Sequence, residues 1–123
     1  MTGMLLALSA AGAMAREVSF GKEVRPLLTQ HCVSCHQGAA APAGLDLLPK
    51  AAYANLAGVP STGSPQPRVA PADPDKSYLM HKLAGTHMDV GGQGATMPLG
   101  APPLEPAQIA LIRQWIAEGA RNN

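Results

Sequence analysis

Apolar positions fall into a few short runs with helical spacing, separated by long stretches rich in glycine and proline. From Phe20 to Gln30 the pattern is helical, with Val24, Leu27, Leu28 and His31 in phase and Ser19 placed to cap the first turn. Pro26 lies inside this stretch, so the helix must start late, with Pro26 in its first turn, or kink there. Pro49–Ala57 reads as a short helix with proline at its first position and Gly58 as its stop. Asp73-Pro74-Asp75-Lys76 starts a third: an Asp cap, a proline at the first helical position and a second acid against the helix dipole. Tyr78, Leu79, Lys82 and Leu83 continue it and Gly85 ends it.

The last run is the clearest. Pro106 opens it, Gln108 stands third, and Ile109, Ile112 and Ile116, with Leu111 and Trp115, make one apolar face. Arg113, Gln114 and Glu118 fall elsewhere on the helix, and Gly119 stops it. No segment shows the period-two alternation of a strand, and no internal repeat is visible. The expected class is all-α, with three to five short helices and long Gly/Pro-rich loops, residues 84–103 forming one of them.

Composition sharpens this picture. The chain has 123 residues, a single-domain length, and its only aromatics are Phe20, Tyr53, Tyr78 and Trp115, against 12 prolines and 13 glycines. Such a chain makes a thin core by itself. Residues 1–15 read as a secretory signal: a short apolar run from Met4 to Gly12, then Ala13-Met14-Ala15 as a cleavage site, with no Lys or Arg before the run. The mature domain is then 16–123, expected in the periplasm or otherwise exported. Net charge is +1. There is no basic stripe for nucleic acid and no polybasic membrane patch. After the signal no apolar run is long enough to span a membrane.

Candidate chemistry concentrates in Cys32-Val33-Ser34-Cys35-His36. C-x-x-C-H is the attachment signature of a c-type haem. Two thiols three positions apart can each add to a vinyl group of one porphyrin, which sets the adjacent imidazole of His36 under the iron as its proximal ligand. A thioredoxin-like pair needs a βαβ context, and a closed zinc site needs two more ligands at a suitable spacing. His31, His36, His81 and His87 offer no such spacing. A buried porphyrin would also supply the apolar bulk that the composition lacks.

The candidates for the sixth iron ligand are Met97, Met88, Met80, His81 and His87, or the position is open. A thioether favours Fe(II) and raises the potential more than a second imidazole does. Met97-Pro98, late in the chain before the last helix, lies on a segment that can fold over the distal face. Met80, beside Leu79 and Leu83, reads as a core residue, His81 as a surface or packing histidine, and His87 as a loop one. His31 would face solvent, cap backbone or reach a propionate, and Arg68 and Lys82 are further propionate partners or solvated charges. Trp115 would pack on the porphyrin edge or on the first helix.

Several stretches together resemble the planctomycete-type cytochrome c domain, a branch of the class I-like monohaem cytochromes c. They are Phe20 with Val24-Arg25-Pro26-Leu27-Leu28, the haem motif, Gly44-Leu45-Asp46-Leu47, Pro71–Leu79, Met97-Pro98 and Ile109–Ala120. The resemblance covers nearly all of 20–120. It implies a small all-α domain around one haem, with His36 proximal and, by match to the family's Met-Pro motif, Met97 distal. Leu99 stands where a second proline is common, and Glu105 where a Ser or Thr cap is usual; the latter is expected to cost about 1 kcal/mol. Domains of this type are often fused to larger enzymes, so a lone domain is expected to have separate proteins as partners.

The expected function is that of an exported monohaem c-type cytochrome, a one-electron carrier and not an enzyme, with Cys32, Cys35, His36 and Met97 holding one covalent haem c and its iron. A redox protein donor and acceptor are the expected partners. The alternatives are a fixed haem subunit of a larger respiratory complex, and a peroxidase-like or gas-sensing protein with an open sixth position.

Overall fold

The computed structural model describes residues 17–123; the expected signal peptide lies outside them. Among the described residues four α-helices occur: α1 Arg25–His31, α2 Ala52–Leu56, α3 Tyr78–Ala84 and α4 Pro106–Ala117. Short 3₁₀ turns stand at Pro42–Gly44, Pro74–Lys76 and His87–Val90. The described residues contain no strand beyond two isolated bridges, Ala57 with Val69 and Pro60 with Pro67. The fold is helix-rich and compatible with the all-α class.

The start of α1 accommodates Pro26 in its own way. A π-helical turn, Phe20–Val24, precedes it, capped by the Ser19 hydroxyl, which accepts from the Lys22 N–H at 3.1 Å. The α-helix proper begins at Arg25, which puts Pro26 in its first turn, where a missing N–H leaves no bond unmade. Phe20, Val24 and Leu28 are buried.

Two expected helices are shorter than their sequence pattern. Over 49–57 only Ala52–Leu56 is helical; Pro49 lies outside it, and Gly58 ends the segment in the left-handed region at φ 71°. The run from Asp73 is two elements. Asp73 caps a 3₁₀ turn, accepting from Lys76 N at 3.2 Å, and the chain then extends at Ser77 before α3 starts. Ser77 causes this break. Its hydroxyl is fully buried, accepts from Ala70 N at 2.8 Å and donates to the Asp73 carbonyl at 2.9 Å. The first amides of α3 are thereby turned to loop carbonyls, Tyr78 N to Pro67 O and Leu79 N to Arg68 O.

Helix α4 runs as expected, and Ile112, Trp115 and Ile116 are buried. At its N-terminus Gln108 Oε1 accepts from the Glu105 N–H at 3.0 Å, one half of a capping box, which offsets the absent Ser or Thr. Trp115 packs against Phe20 at the first helix (ring centroids 5.1 Å) and against Tyr53 (6.4 Å). Its indole N–H donates to Arg121 O at 2.9 Å, and the Tyr53 hydroxyl to Ala120 O at 2.9 Å. Asn123 closes this side, its carbonyl accepting from Ser19 Oγ at 2.7 Å and its Oδ1 from Phe20 N at 2.9 Å.

Candidate functional site

On the other side from the aromatic cluster the same helices leave a cavity of about 540 Å³, within the roughly 300–1,000 Å³ usual for a ligand site. Leu45, Leu47, Leu56, Leu79 and Leu83 supply much of its wall. Cys32, Cys35, His36 and Met97 all line it. Four residues spread over sixty-five positions of sequence thus meet at one space.

The end of α1 delivers the first three. Cys32 terminates the helix, its N–H bonded to Leu28 O at 2.9 Å, and the chain turns so that Cys35 N and His36 N both donate back to Cys32 O (3.2 and 2.9 Å). Both thiols are free, Cys32 half-buried and Cys35 exposed. Burial, and then the neighbouring Cys35, push the Cys32 thiol up from its ordinary 9.0 to about 11.

His36 is oriented through one ring nitrogen. Nδ1 lies 3.2 Å from the Leu45 carbonyl. A carbonyl can only accept, so Nδ1 is the donor here; in the neutral ring that tautomer leaves the Nε2 lone pair available to a metal. Metal-ligating histidines are typically held by this kind of outer hydrogen bond. The Leu47 N–H donates to the His36 carbonyl at 2.9 Å, tying the Gly44-Leu45-Asp46-Leu47 run to the motif.

Met97 is half-buried on the facing segment, its N–H bonded to Lys82 O at 3.0 Å. The other expected candidates for the sixth position do not line the cavity. Met80 is in the core and Met88 is 72% exposed. His81 has both ring nitrogens engaged, Nδ1 with Thr86 Oγ1 and Nε2 with the Asp75 carbonyl, each at 2.7 Å. His87, read from sequence as an ordinary loop histidine, is buried at 3% exposure, with Nε2 on Gly94 O at 2.7 Å.

Three further polar groups stand at the wall. Arg68 donates to Ala43 O at 2.8 Å and Asn55 O at 3.0 Å; Lys82 donates to Ala95 O at 2.7 Å and Gln93 O at 3.0 Å. Burial lowers the pKa of both cations. His31 is half-buried at the wall, not turned to solvent, and its Nε2 is buried without a hydrogen-bond partner. Tyr78 lines the cavity too, a role the sequence reading did not give it. Its ring fits over Gly63 and Gly92, where a Cβ would collide with it; the Gly91-Gly92-Gln93-Gly94 run was the available signal.

Among the described residues no group of three or more His, Cys, Asp or Glu side chains is placed to hold a metal ion, and a closed zinc site would need one. No helix among the described residues is long and apolar enough to cross a membrane. No family model, no curated protein and no solved structure matches this chain.

Proposed function

We propose that the chain is an exported monohaem c-type cytochrome that carries single electrons, with the fold of the planctomycete-type cytochrome c domain it resembles. One observation carries this reading: Cys32, Cys35 and His36 of the C-x-x-C-H motif and Met97, far apart in sequence, line one leucine-walled cavity, and the His36 ring is oriented by a hydrogen bond from Nδ1 to the Leu45 carbonyl. The residues fit the group. Cys32 and Cys35 would hold the porphyrin as thioethers, and His36 and Met97 would ligate its iron. Arg68 and Lys82, desolvated at the wall, would be relieved by the propionates, and the orphaned Nε2 of His31 would gain a partner there.

When bound, the haem supplies a one-electron Fe(II)/Fe(III) couple. The chain's own part is to set the environment of that couple. The leucine wall excludes water, the Leu45 carbonyl orients the His36 ring, and a thioether favours the reduced state. Carriage of an electron needs no proton-transfer group at the distal face. This suits a site where His81 and His87 are both turned elsewhere, and it favours a carrier over a peroxidase-like protein. With a net charge near zero, docking to the donor and acceptor would rest on a small, partly apolar patch more than on electrostatic steering.

Optical spectra of the purified protein and of Met97→Ala test the reading. The parent is expected to retain haem after denaturation and acid–acetone extraction and to show a red-region sulfur-to-iron band when ferric. Met97→Ala should lose that band while keeping the haem. Haem that extracts freely would refute the covalent attachment, and a band that survives Met97→Ala would refute the ligand.

A further inference from the structure

The segment that carries Met97 has no regular structure, contains Gly91, Gly92 and Gly94, and offers the iron only a neutral, weakly basic thioether. Such a ligand stays in place only if its backbone is held for it. The hydrogen bonds around the segment show what holds it. Three successive carbonyls, Gln93, Gly94 and Ala95, accept from two side chains: the Lys82 ammonium takes the first and third, at 3.0 and 2.7 Å, and His87 Nε2 the middle one, at 2.7 Å. Beyond them the Met97 N–H returns to Lys82 O at 3.0 Å.

We infer that Lys82 and His87 are positioning residues that fix Met97 as a ligand and so set the strength of its bond to iron. This rests on the reading of Met97 as the distal ligand. Neither side chain needs to touch the iron. Lys82, on α3, grips the segment ahead of Met97 with its ammonium and at Met97 itself with its carbonyl. His87 is buried, and its Nδ1 makes no hydrogen bond, so the bond to Gly94 is the ring's only one. An apolar side chain would fill that place at less desolvation cost if packing were its only role. Gly92 beside it is buried and closely packed: a Cβ there would meet both Tyr78 and the His87 carbonyl.

The test uses the haem-loaded full chain and three variants: Lys82→Met, His87→Leu and His87→Gln. The readouts are the ferric sulfur-to-iron band, the midpoint potential, the rate of carbon monoxide binding to the reduced protein, and the urea midpoint. Lys82→Met, which removes two hydrogen bonds, and His87→Leu, which removes one, are expected to weaken the band, lower the potential and raise carbon monoxide binding, about tenfold for His87→Leu and at least as much for Lys82→Met. His87→Gln, which keeps a donor, should recover most of the parent's band. Should the urea midpoint fall while band, potential and carbon monoxide rate stay at parent values, the two residues are structural only and the inference is overturned. Lys82 is half-exposed, so its variant decides the question even if the buried His87→Leu does not accumulate, and it does so through the band and the carbon monoxide rate, which loss of a propionate partner alone would leave at parent values. A parent without the band overturns the Met97 reading, and this inference with it; a parent with the band and unchanged variants overturns this inference alone.

Discussion

Around Trp115 every large ring has another ring against it, and the indole N–H and Tyr53 hydroxyl both find carbonyls. Around Met97, leucines face a space of about 540 Å³. The two regions belong to one core, which runs from Phe20, Leu28 and Trp115 to Leu47, Leu56 and Leu83 at the cavity wall, with Cys32 at the end of α1 lining the cavity. The difference is in where the bulk comes from. Three of the four aromatics sit in the first region, which therefore closes on its own side chains. The second has few large residues of its own, and on the proposed reading the porphyrin completes it. A protein of this kind would have one half that folds by itself and one half whose core includes its cofactor.

The largest effect should come from attacking the self-filled half. Trp115→Ala removes the ring packed against Phe20 and, edge-on, against Tyr53, and leaves the Arg121 carbonyl without the indole N–H. It is expected to cost about 3–5 kcal/mol in urea unfolding. Leu99 lines the cavity and is 64% exposed; in the haem-free chain Leu99→Ala should stay within about 0.5 kcal/mol. If the two truncations cost the same, the halves are not energetically distinct and the comparison fails.

Ser77, at the break before α3, should come next. Its hydroxyl replaces backbone bonds that a continuous helix from Asp73 would have made. Ser77→Ala leaves Ala70 N without its buried partner and is expected to cost about 1–3 kcal/mol. Amide exchange at Tyr78 and Leu79 should speed up as well, since their bonds to Pro67 and Arg68 depend on that break. Unchanged exchange there would mean that α3 is held by its packing and not by the serine.

How far the sequence could be read follows the same division. The amphipathic face of α4 and its Pro106 start were legible because twelve residues at one period leave little choice. The late start at Pro26 and the Ser19 cap were legible because each is a local rule. The break at Ser77 was not, since it depends on Ala70, a residue brought back by the 58–72 loop. The five-residue α2 is too short for periodicity to bound. Met97 was singled out by its Met-Pro motif, but that Met80, Met88, His81 and His87 stay off the cavity wall is a matter of tertiary placement. The burial of His87 left no local trace: its partner is a glycine carbonyl seven residues on, and that geometry exists only once the glycine-rich segment has folded back.

The smallest effect lies at the seam that closes the aromatic half. Glu118 Oε1 accepts from the Val18 N–H at 2.8 Å, and its Oε2 from the Gln114 amide at 3.1 Å. The Val18 bond, then the Gln114 bond, holds its carboxyl below the ordinary 4.5, helped by Arg121 and opposed by burial and Glu23. A carboxyl whose folded pKa lies below its unfolded one stabilises the fold above the unfolded value, and that stability is lost as pH falls through the folded one. Glu118→Gln should therefore lower the urea midpoint slightly at pH 7, with the gap to the parent closing as pH falls below about 4.5. The ferric sulfur-to-iron band of the loaded protein should stay the same in both, because the seam lies on the half that does not line the cavity. A band that follows the Glu118 titration would show that the two halves are coupled through α1, and that the self-filled half tunes the site it was taken only to support.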